Sequence, residues 1–437
     1  MPLLVSLDRL FVDDASFGVP MLEDCPLVEW WLPYACLFVT ALVVALATTP
    51  LARLIATRLG AVDKPSARRI NKRTTPRMGG IAIFLALIAA VIVQYHGTMQ
   101  LGWPPVLIPS PRMSVDYYLL AVSFLVIFLT GAVDDVVQLK PLPKLAGQVL
   151  AACIAVAGGL RINVIINPFG GGEFALEWIG YPLTVLYLVA YVNIINLIDG
   201  LDGLASGITL ISCITLFSLA NLAGRLDAAA LAISVAGATL GFLRYNFNPA
   251  SIFLGDSGSL LLGFSLGTIS LLNVTRMAGL TTIIVPLVIS FVPIVDTLSA
   301  IIRRKRAHVS VGHADKGHIH HRLIQEGYNQ RQAVLLVYAW TAFLCGGSLI
   351  MTQVEVWPRI AIFCLLIGVS FVIAKHLKLF EPVLRHHYNP KSGEDELVTP
   401  DDPAFAVEQE RAEERSEERL ARLADKLLGD EGDRKHS

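Results

Sequence analysis

Charged residues are scarce in this sequence. Asp, Glu, Lys and Arg make up only 16% of the 437 residues, whereas hydrophobic residues make up 54%. An ordinary soluble domain carries about 25% charged residues, so this composition excludes that class and predicts a polytopic membrane protein. We therefore expect membrane lipid around the chain, and no nucleic-acid partner.

Three further patterns are missing. None of the six cysteines forms a C-x-x-C pair, which argues against a disulfide framework or a zinc site. Residues 1–29 are acidic and irregular and lack the basic and apolar regions of a signal peptide, so we expect none to be cleaved. No two halves carry matching interrupted helices, a pattern that many transporters show.

Long apolar runs predict an all-α fold with about eleven transmembrane helices. A stretch at 161–179 is too polar to span and is expected to form a small external hairpin or interfacial segment. The predicted domains are a segment at 1–29, a membrane domain at 30–377 and a charged tail at 378–437, partly disordered or helical, with a helix at 405–428. The predicted spans are 30–51, 79–97, 116–133, 145–160, 180–198, 204–222, 227–243, 258–274, 280–302, 332–351 and 358–377.

The loops after the first and ninth spans are rich in Lys and Arg, whereas the alternate loops hold almost none. Positive residues favour the cytoplasmic side. We therefore expect the N-terminus outside, the C-terminus in the cytoplasm and the odd-numbered loops on the cytoplasmic face.

Acidic and amide side chains gather at the cytoplasmic ends of these spans. Asp134 and Asp135 end the third span, and adjacent acids favour a cation or a proton-accepting role over a simple helix-end charge. Asp199 and Asp202 share a face if helical, although capping of the sixth helix would explain Asp202. It would not explain the amides of Asn193 and Asn196 inside a span.

Two later stretches add further candidates. Asp256 precedes the eighth span, where N-capping by Asp256 or Ser257 competes with metal ligation, and Phe253 could stack on a base or pack in the membrane. The last cytoplasmic loop joins the basic cluster 303–306 to His318-Ile319-His320-His321. No zinc-binding spacing accompanies these histidines, so with the arginines they fit phosphate oxygens better, and part of the basic cluster is a membrane anchor.

Five motifs in order over residues 30–377 give a resemblance to a known family. They are Pro-Arg-Met-Gly-Gly, Asp134-Asp135, Asn-x-x-Asn-Leu-x-Asp-Gly-Leu-Asp-Gly-Leu, Phe-Leu-Gly-Asp-Ser-Gly-Ser and His-Ile-His-His. The chain resembles the polyprenyl-phosphate N-acetylhexosamine-1-phosphate transferases, in their bacterial GlcNAc-1-phosphate branch. His318 and Arg322 stand where the phospho-N-acetylmuramoyl-pentapeptide transferases have Pro and a third His, and Asn71 departs from the usual first loop.

The resemblance implies a site and an activity. The enzyme would transfer GlcNAc-1-phosphate from UDP-GlcNAc to undecaprenyl phosphate at the cytoplasmic face of the bacterial inner membrane, as the first membrane step of an envelope polysaccharide, with Mg²⁺ (Mn²⁺ as the alternative). By motif, the implied catalytic residues are Asp134, Asp135, Asp199, Asp202, His320 and His321. The implied metal ligands are Asp256, Asp135 and Asn196, and the implied substrate-binding residues are Lys72, Asn196, Asn246, Phe253, Arg304 and His318.

Several alternatives stay open on the sequence. A phospho-N-acetylmuramoyl-pentapeptide transferase or another UDP-hexosamine-1-phosphate transferase would carry similar motifs. An intramembrane aspartyl protease also pairs two aspartates, but its Gly-x-Gly-Asp lies deep in a span, whereas Gly255-Asp256 lies at an interface. A transporter would place its acids near the midplane. The sequence leaves a homodimer possible, and it does not assign a role to the tail.

Overall fold

The structure is a computed structural model that describes residues 27–63, 74–107, 115–166, 173–274, 281–306, 317–380, 385–389 and 394–398, and residue 407. The helices are α1 (Leu27–Arg58), α2 (Gly80–Leu101), α3 (Tyr117–Val137), α4 (Pro141–Ala157), α5 (Gly180–Ile198), α6 (Leu204–Leu222), α7 (Leu226–Asn246), α8 (Gly255–Val274), α9 (Thr281–Ile289), α10 (Phe291–Arg306), α11 (Ile319–Gln325), α12 (Gln330–Gln353) and α13 (Val356–His376). The strands are β1 (Val62–Asp63), β2 (Thr75–Pro76), β3 (Val164–Ile166), β4 (Glu173–Ala175), β5 (Arg385–Asn389) and β6 (Glu394–Val398).

The chain is an all-α polytopic membrane protein, as its apolar runs predicted. Within the described residues, eight helices are long and apolar enough to cross a membrane: α1 to α3, α5 to α7, α12 and α13. Helix α4 falls at the predicted fourth span but has only 17 residues, and α8 falls at the predicted eighth span.

The predicted ninth span is divided into two helices. Helix α9 ends at Ile289 and α10 begins at Phe291. Pro293 has no N–H to donate to the carbonyl of Ile289, four residues earlier, so a continuous helix would lose this hydrogen bond. Ser290 forms the junction instead, and its carbonyl accepts the N–H of Ile294 at 3.1 Å.

Helix α8 lies in the core of the first compact unit. Its apolar side chains Leu260, Leu261, Leu262 and Phe264 are fully buried, and it packs mainly against α3 and α5. Small residues allow close helix contacts, as is common inside membranes. A Cβ on Gly263 would lie 2.7 Å from the Cα of Val192 on α5. This packing fixes the start of α8 relative to the ends of α3 and α5.

Two compact units divide the chain. The first comprises the residues up to Val295 together with Gly327–Phe371, and the second comprises Asp296–Glu326 together with the residues from Val372 on. The predicted domains at 1–29, 30–377 and 378–437 stay predictions.

Three antiparallel two-stranded hairpins complete the described fold: β1–β2, β3–β4 and β5–β6. The pair β3–β4 confirms a hairpin in the polar stretch 161–179. The pair β5–β6, with Arg385 opposite Val398, was not predicted, since the tail was expected to be disordered or helical. The predicted helix at 405–428 lies outside the described residues, apart from residue 407.

Candidate active site

The turn between α3 and α4 brings an acid and a lysine together. Helix α3 ends at Val137, and the N–H of Leu139 donates to Asp134 Oδ1 at 2.6 Å. Proline at the first position of α4 suits a helix start, since its missing N–H would have no helical partner. Lys144, in the first turn of α4, then lies with its Nζ 3.0 Å from Asp134 Oδ2. The buried Asp134 carboxylate is therefore paired with an ammonium group.

Lys144 links four helices at this point. Its Nζ lies 2.9 Å from Asp256 Oδ1 at the start of α8 and donates to Asn196 Oδ1 near the end of α5 at 3.3 Å. The Asn196 Nδ2 group donates to Asp256 Oδ1 and, at 2.8 Å, to Ser259 Oγ. We call Asp134, Lys144, Asn196 and Asp256 the carboxylate cluster. Three of these four residues were predicted from sequence to lie together.

Asp135 makes a different set of contacts from its neighbour. Its Oδ1 accepts the N–H of Asp256 at 2.8 Å and its Oδ2 accepts the N–H of Ser257 at 3.0 Å. These are the free N–H groups at the start of α8, so Asp135 caps that helix from another helix. Gly255 has φ +70°, and a Cβ there would lie 2.7 Å from both Asp135 oxygens. In this geometry Asp135 positions Asp256, since both of its oxygens are occupied.

The segment between α1 and α2 contacts the end of α3 and the residues before α8. Arg77 donates from Nε and Nη2 to the carbonyl of Asp135 at 3.2 and 2.9 Å. The N–H of Phe253 donates to the carbonyl of Pro76 at 2.8 Å, and Gly79 N–H donates to the carbonyl of Phe253 at 3.0 Å. From the sequence, Arg77 was part of the basic first loop and of the Pro-Arg-Met-Gly-Gly motif, but no contact was predicted for it. The Pro-Arg-Met-Gly-Gly motif thus supports the segment before Asp256, whereas Lys72 lies outside the described residues.

Asp199 lies next to the carboxylate cluster. It follows the last residue of α5. Burial raises the pKa of Asp199 well above its usual range, and the negative charges of Asp256, Asp135 and Asp202 add to this effect. A carboxylate whose pKa is raised by neighbouring negative charges lies where an additional cation would be stabilised.

Asp202 holds a loop rather than joining the carboxylate cluster. Its Oδ2 accepts the Asn248 side-chain N–H at 2.9 Å and the backbone N–H of Ala250 at 3.0 Å. The buried Asn246 side chain is also used internally: it accepts from Ser206 Oγ at 2.8 Å and donates to the carbonyl of Ile252 at 3.1 Å. Both residues shape the loop between α7 and α8 that leads to Phe253, which is half-buried.

The amide of Asn193 has a partner that explains its position. Its Nδ2 donates to Gln148 Oε1 on α4 at 2.7 Å. Gln148 lies one turn after Lys144, and Asn193 lies one turn before Asn196, so the two pairs form one polar seam between α4 and α5. The seam fixes the register that places Lys144 beside Asn196.

The histidine motif belongs to the second compact unit. His318 and His320 are buried, with their rings stacked at 5.8 Å, and the rings of His320 and His321 are 4.3 Å apart. Burial lowers the pKa of His320 to about 3, with the neighbouring His321 adding to the effect. No hydrogen-bond partner for His320 Nδ1 or Arg304 Nε is found within the described residues. Both atoms are therefore suited to a polar ligand such as phosphate.

Three features of the site were not predicted from the sequence. They are Lys144, the contacts of Arg77, and Asp296, which contacts the histidine motif. Lys144 stands at the edge of a predicted span, where a lysine is usually explained as a membrane anchor. Asp296 had a stronger signal, because it is an acid inside a predicted apolar span.

The carboxylate cluster fits a divalent cation. Within the residues that the structure describes, no three His, Cys, Asp or Glu side chains are grouped as a metal site. Mg²⁺ does not require such a group, since it is usually bound by one or two carboxylates, waters and substrate phosphates. The Lys144 ammonium group, held between Asp134 and Asp256, marks a position where these carboxylates already bind a positive charge.

Comparisons with known proteins give a consistent result. Residues 117–274 match the model of glycosyl transferase family 4. A probable undecaprenyl-phosphate N-acetylglucosaminyl 1-phosphate transferase of Bacillus subtilis (strain 168) is 37% identical over 338 residues, which cover 77% of this chain and 90% of that protein. A decaprenyl-phosphate N-acetylglucosaminephosphotransferase of Mycobacterium tuberculosis (strain CDC 1551 / Oshkosh) is 37% identical over 76% of this chain and 83% of that protein. An undecaprenyl-phosphate alpha-N-acetylglucosaminyl 1-phosphate transferase of Yersinia pestis is 28% identical over 72% of this chain and 84% of that protein.

Proposed function

The chain belongs to glycosyl transferase family 4 and, within it, to the polyprenyl-phosphate N-acetylhexosamine-1-phosphate transferases, and we propose that its donor substrate is UDP-GlcNAc. It is an integral membrane phosphotransferase that transfers N-acetylglucosamine-1-phosphate to undecaprenyl phosphate. The observation that carries the proposal is the carboxylate cluster, in which four helices bring two acids, an amide and a lysine together.

The proposed reaction is a single displacement at phosphorus. An oxygen of the undecaprenyl phosphate forms a bond to the β-phosphorus of UDP-GlcNAc. The bond from that phosphorus to the oxygen bridging the two phosphates breaks, and UMP leaves with this oxygen. The second pKa of a phosphate monoester is about 6, so the acceptor needs little deprotonation at neutral pH. The acids therefore contribute more by positioning than by base catalysis.

Each part of the cluster has a role in this proposal. Asp134 and Asp256, with Asn196, would hold Mg²⁺, with Mn²⁺ as the alternative. Such an ion would supply positive charge beside the diphosphate, which would offset the charge that develops on the leaving oxygen. Lys144 lies close enough to the same carboxylates to donate to a phosphate oxygen of the bound donor. Asp135 keeps Asp256 at the start of α8 through its two backbone contacts.

The proposed location is the inner membrane, with the active site on the cytoplasmic face. Two observations support it: the basic loops predict this orientation, and α3, α5 and α8 present their acids at helix ends rather than at mid-helix. The end position also argues against the intramembrane protease and the transporter. The product would then start a cell-envelope polysaccharide.

Purified enzyme with undecaprenyl phosphate and labelled UDP-GlcNAc tests the proposal. We expect release of UMP and formation of lipid-linked GlcNAc diphosphate, both dependent on Mg²⁺ and absent in Asp256→Asn. The matched control is Asp116→Asn, which makes the same chemical change at the cap of α3. Turnover of UDP-GalNAc or UDP-MurNAc-pentapeptide in place of UDP-GlcNAc would correct the donor. No UMP release from any of the three would contradict the proposed reaction.

A further inference from the structure

A buried acid on α10 has no role in the reaction described above. Asp296 is only 1% exposed. Its Oδ2 contacts His318 Nδ1 at 2.9 Å, and its Oδ1 accepts the N–H of Ile319 at 2.8 Å. Asp296 and these two partners all belong to the second compact unit. The acid therefore contacts both the side chain and the backbone of the His-Ile-His-His motif.

The contact favours hydrogen on one particular nitrogen of His318. Carboxylate oxygens are hydrogen-bond acceptors, so the Asp296 contact is best made by a His318 that donates from Nδ1. The Nε2 atom is then the nitrogen left for another partner. A carboxylate that orients a histidine in this way is common behind histidines that bind metals or take part in catalysis.

The ring of His318 contacts the ring of His320, which in turn contacts the ring of His321. The ring of His320 is parallel to that of His318 within 4°, and His321 follows at 4.3 Å. His318 and His320 are buried, whereas His321 is half-buried. Because His320 packs against the ring of His318, a change in the orientation of the His318 ring would also displace His320.

The face of α10 that carries Asp296 also contacts Gly317, the residue before the His-Ile-His-His motif. Asp296, Ser299 and Arg303 are three and four residues apart and so share one side of the helix. Arg303 donates to Ser299 Oγ at 2.9 Å and to the carbonyl of Leu379. A Cβ on Gly317 would lie 2.4 Å from Arg303 Nε, so this segment lies directly against the Arg303 side chain. The motif is thus held against α10 on both sides of His318.

Capping alone does not require an acid at position 296. An uncharged Ser, Thr or Asn side chain could accept the N–H of Ile319. A buried carboxylate is costly unless it is paired, and the bond to His318 is the contact that an uncharged cap would not reproduce.

From these contacts we propose that Asp296 is a positioning residue for recognition of the donor diphosphate. It holds His318 in the form with hydrogen on Nδ1, and so aligns the three histidines for phosphate oxygens. This inference rests on the proposed function, in which UDP-GlcNAc is the donor, and adds that the histidine motif recognises phosphate oxygens of the donor.

A double-mutant cycle tests the inference in the full-length enzyme. Asp296→Asn keeps the size of the side chain and an acceptor for Ile319, but it places an amide N–H₂ toward His318 Nδ1. We expect KM for UDP-GlcNAc to rise about tenfold or more in Asp296→Asn, with a smaller change in kcat. In a His318→Ala background the same substitution should have no further effect, because coupled residues are not additive. Asp116→Asn, the matched cap on α3, should leave KM unchanged.

Outcomes of the cycle separate this inference from the proposed function. An equal rise in KM in both backgrounds, with active wild-type enzyme, would overturn the role of Asp296 and leave the transferase intact. Wild-type enzyme that does not use UDP-GlcNAc would overturn both.

A second measurement determines the protonated nitrogen of His318 in the wild-type protein. In ¹⁵N-histidine-labelled wild-type protein, with His318→Ala used for assignment, we expect side-chain nitrogen shifts of a histidine protonated at Nδ1. A neutral His318 protonated only at Nε2 would overturn the inference whatever the kinetics.

Discussion

Replacing Lys144 by Met should separate the stability of the carboxylate cluster from its catalytic use. Met keeps most of the length and the apolar stem of the side chain but removes the charge. The change leaves Asp134 and Asp256 facing each other without the ammonium group that contacts them at 3.0 and 2.9 Å.

The size of the effect follows from these distances. The three side chains are only 19%, 7% and 22% exposed, for Lys144, Asp134 and Asp256. At an effective dielectric constant of about 20, each pair has a gross attraction of roughly 5–6 kcal/mol, which desolvation largely offsets. Removing one partner of a buried pair typically costs about 3–5 kcal/mol, because a charge is left uncompensated. With an unfolding entropy of about 2.1 cal/mol/K per residue, a chain of this length should show a decrease of Tm by roughly 3–5 °C.

A divalent cation should offset the loss of stability in Lys144→Met. Without the ammonium group, the mutual repulsion of the two carboxylates is no longer offset and no resident cation competes for them, so Mg²⁺ or Mn²⁺ should bind Lys144→Met more tightly than wild type. Saturating cation should then recover much of the lost stability, since a ligand that binds only the folded state stabilises it. UMP release should stay low even in excess Mg²⁺, because the phosphate-binding ammonium group is absent.

Thermal melts and Mn²⁺ titration monitored by electron paramagnetic resonance measure both effects. Lys140→Met is the matched control, since Lys140 precedes the same helix and is exposed. Lys144→Arg should keep the stability of the cluster. Unchanged Tm together with unchanged Mn²⁺ affinity in Lys144→Met would refute the reasoning.

Four further outcomes follow from the site. Asp256→Asn should lower kcat by about 100-fold or more and weaken Mn²⁺ binding; retained turnover would count against the cluster. Asp135→Asn should cost about 1.5–3 kcal/mol of stability, since it loses one acceptor at the start of α8, yet Mn²⁺ should still bind; loss of Mn²⁺ binding at unchanged Tm would make Asp135 a ligand instead. Asp202→Asn should raise KM for UDP-GlcNAc about tenfold by loosening its contact to Asn248, without changing Mn²⁺ affinity. The pKa of His320 is lowered to about 3, so between about pH 6.5 and 3 the unfolded chain binds a proton that the folded chain does not. The free energy of unfolding should therefore fall as pH drops through this window. In thermal melts, His320→Gln should reduce this dependence of stability on pH.

The sequence was sufficient for the helices and for much of the cluster. Apolar runs of about 20 residues located most of the helices, because a membrane span must satisfy its backbone hydrogen bonds internally. Asp134, Asn196 and Asp256 could be grouped because each ends or begins an apolar run on the same predicted face. Ionisable and amide groups at such places are costly unless they have partners.

Contacts that depend on tertiary packing could not be predicted. The capping of α8 by Asp135 depends on the close approach of α3 to α8, which no local pattern encodes. The role of Lys144 was not predicted, because a lysine beside an apolar run is usually explained as a membrane anchor. The helix break at Ser290 could have been predicted from Pro293, but the continuous apolar run favoured a single span.

Locating a bound metal tests the central claim most directly. Crystals of the enzyme soaked with Mn²⁺ and UDP would reveal the ion by its anomalous scattering. We predict a peak about 2.2 Å from oxygens of Asp256 and Asp134, with the Lys144 ammonium group displaced toward a phosphate of UDP. A peak away from both acids, or an unmoved Lys144 with no ion between them, would contradict the account.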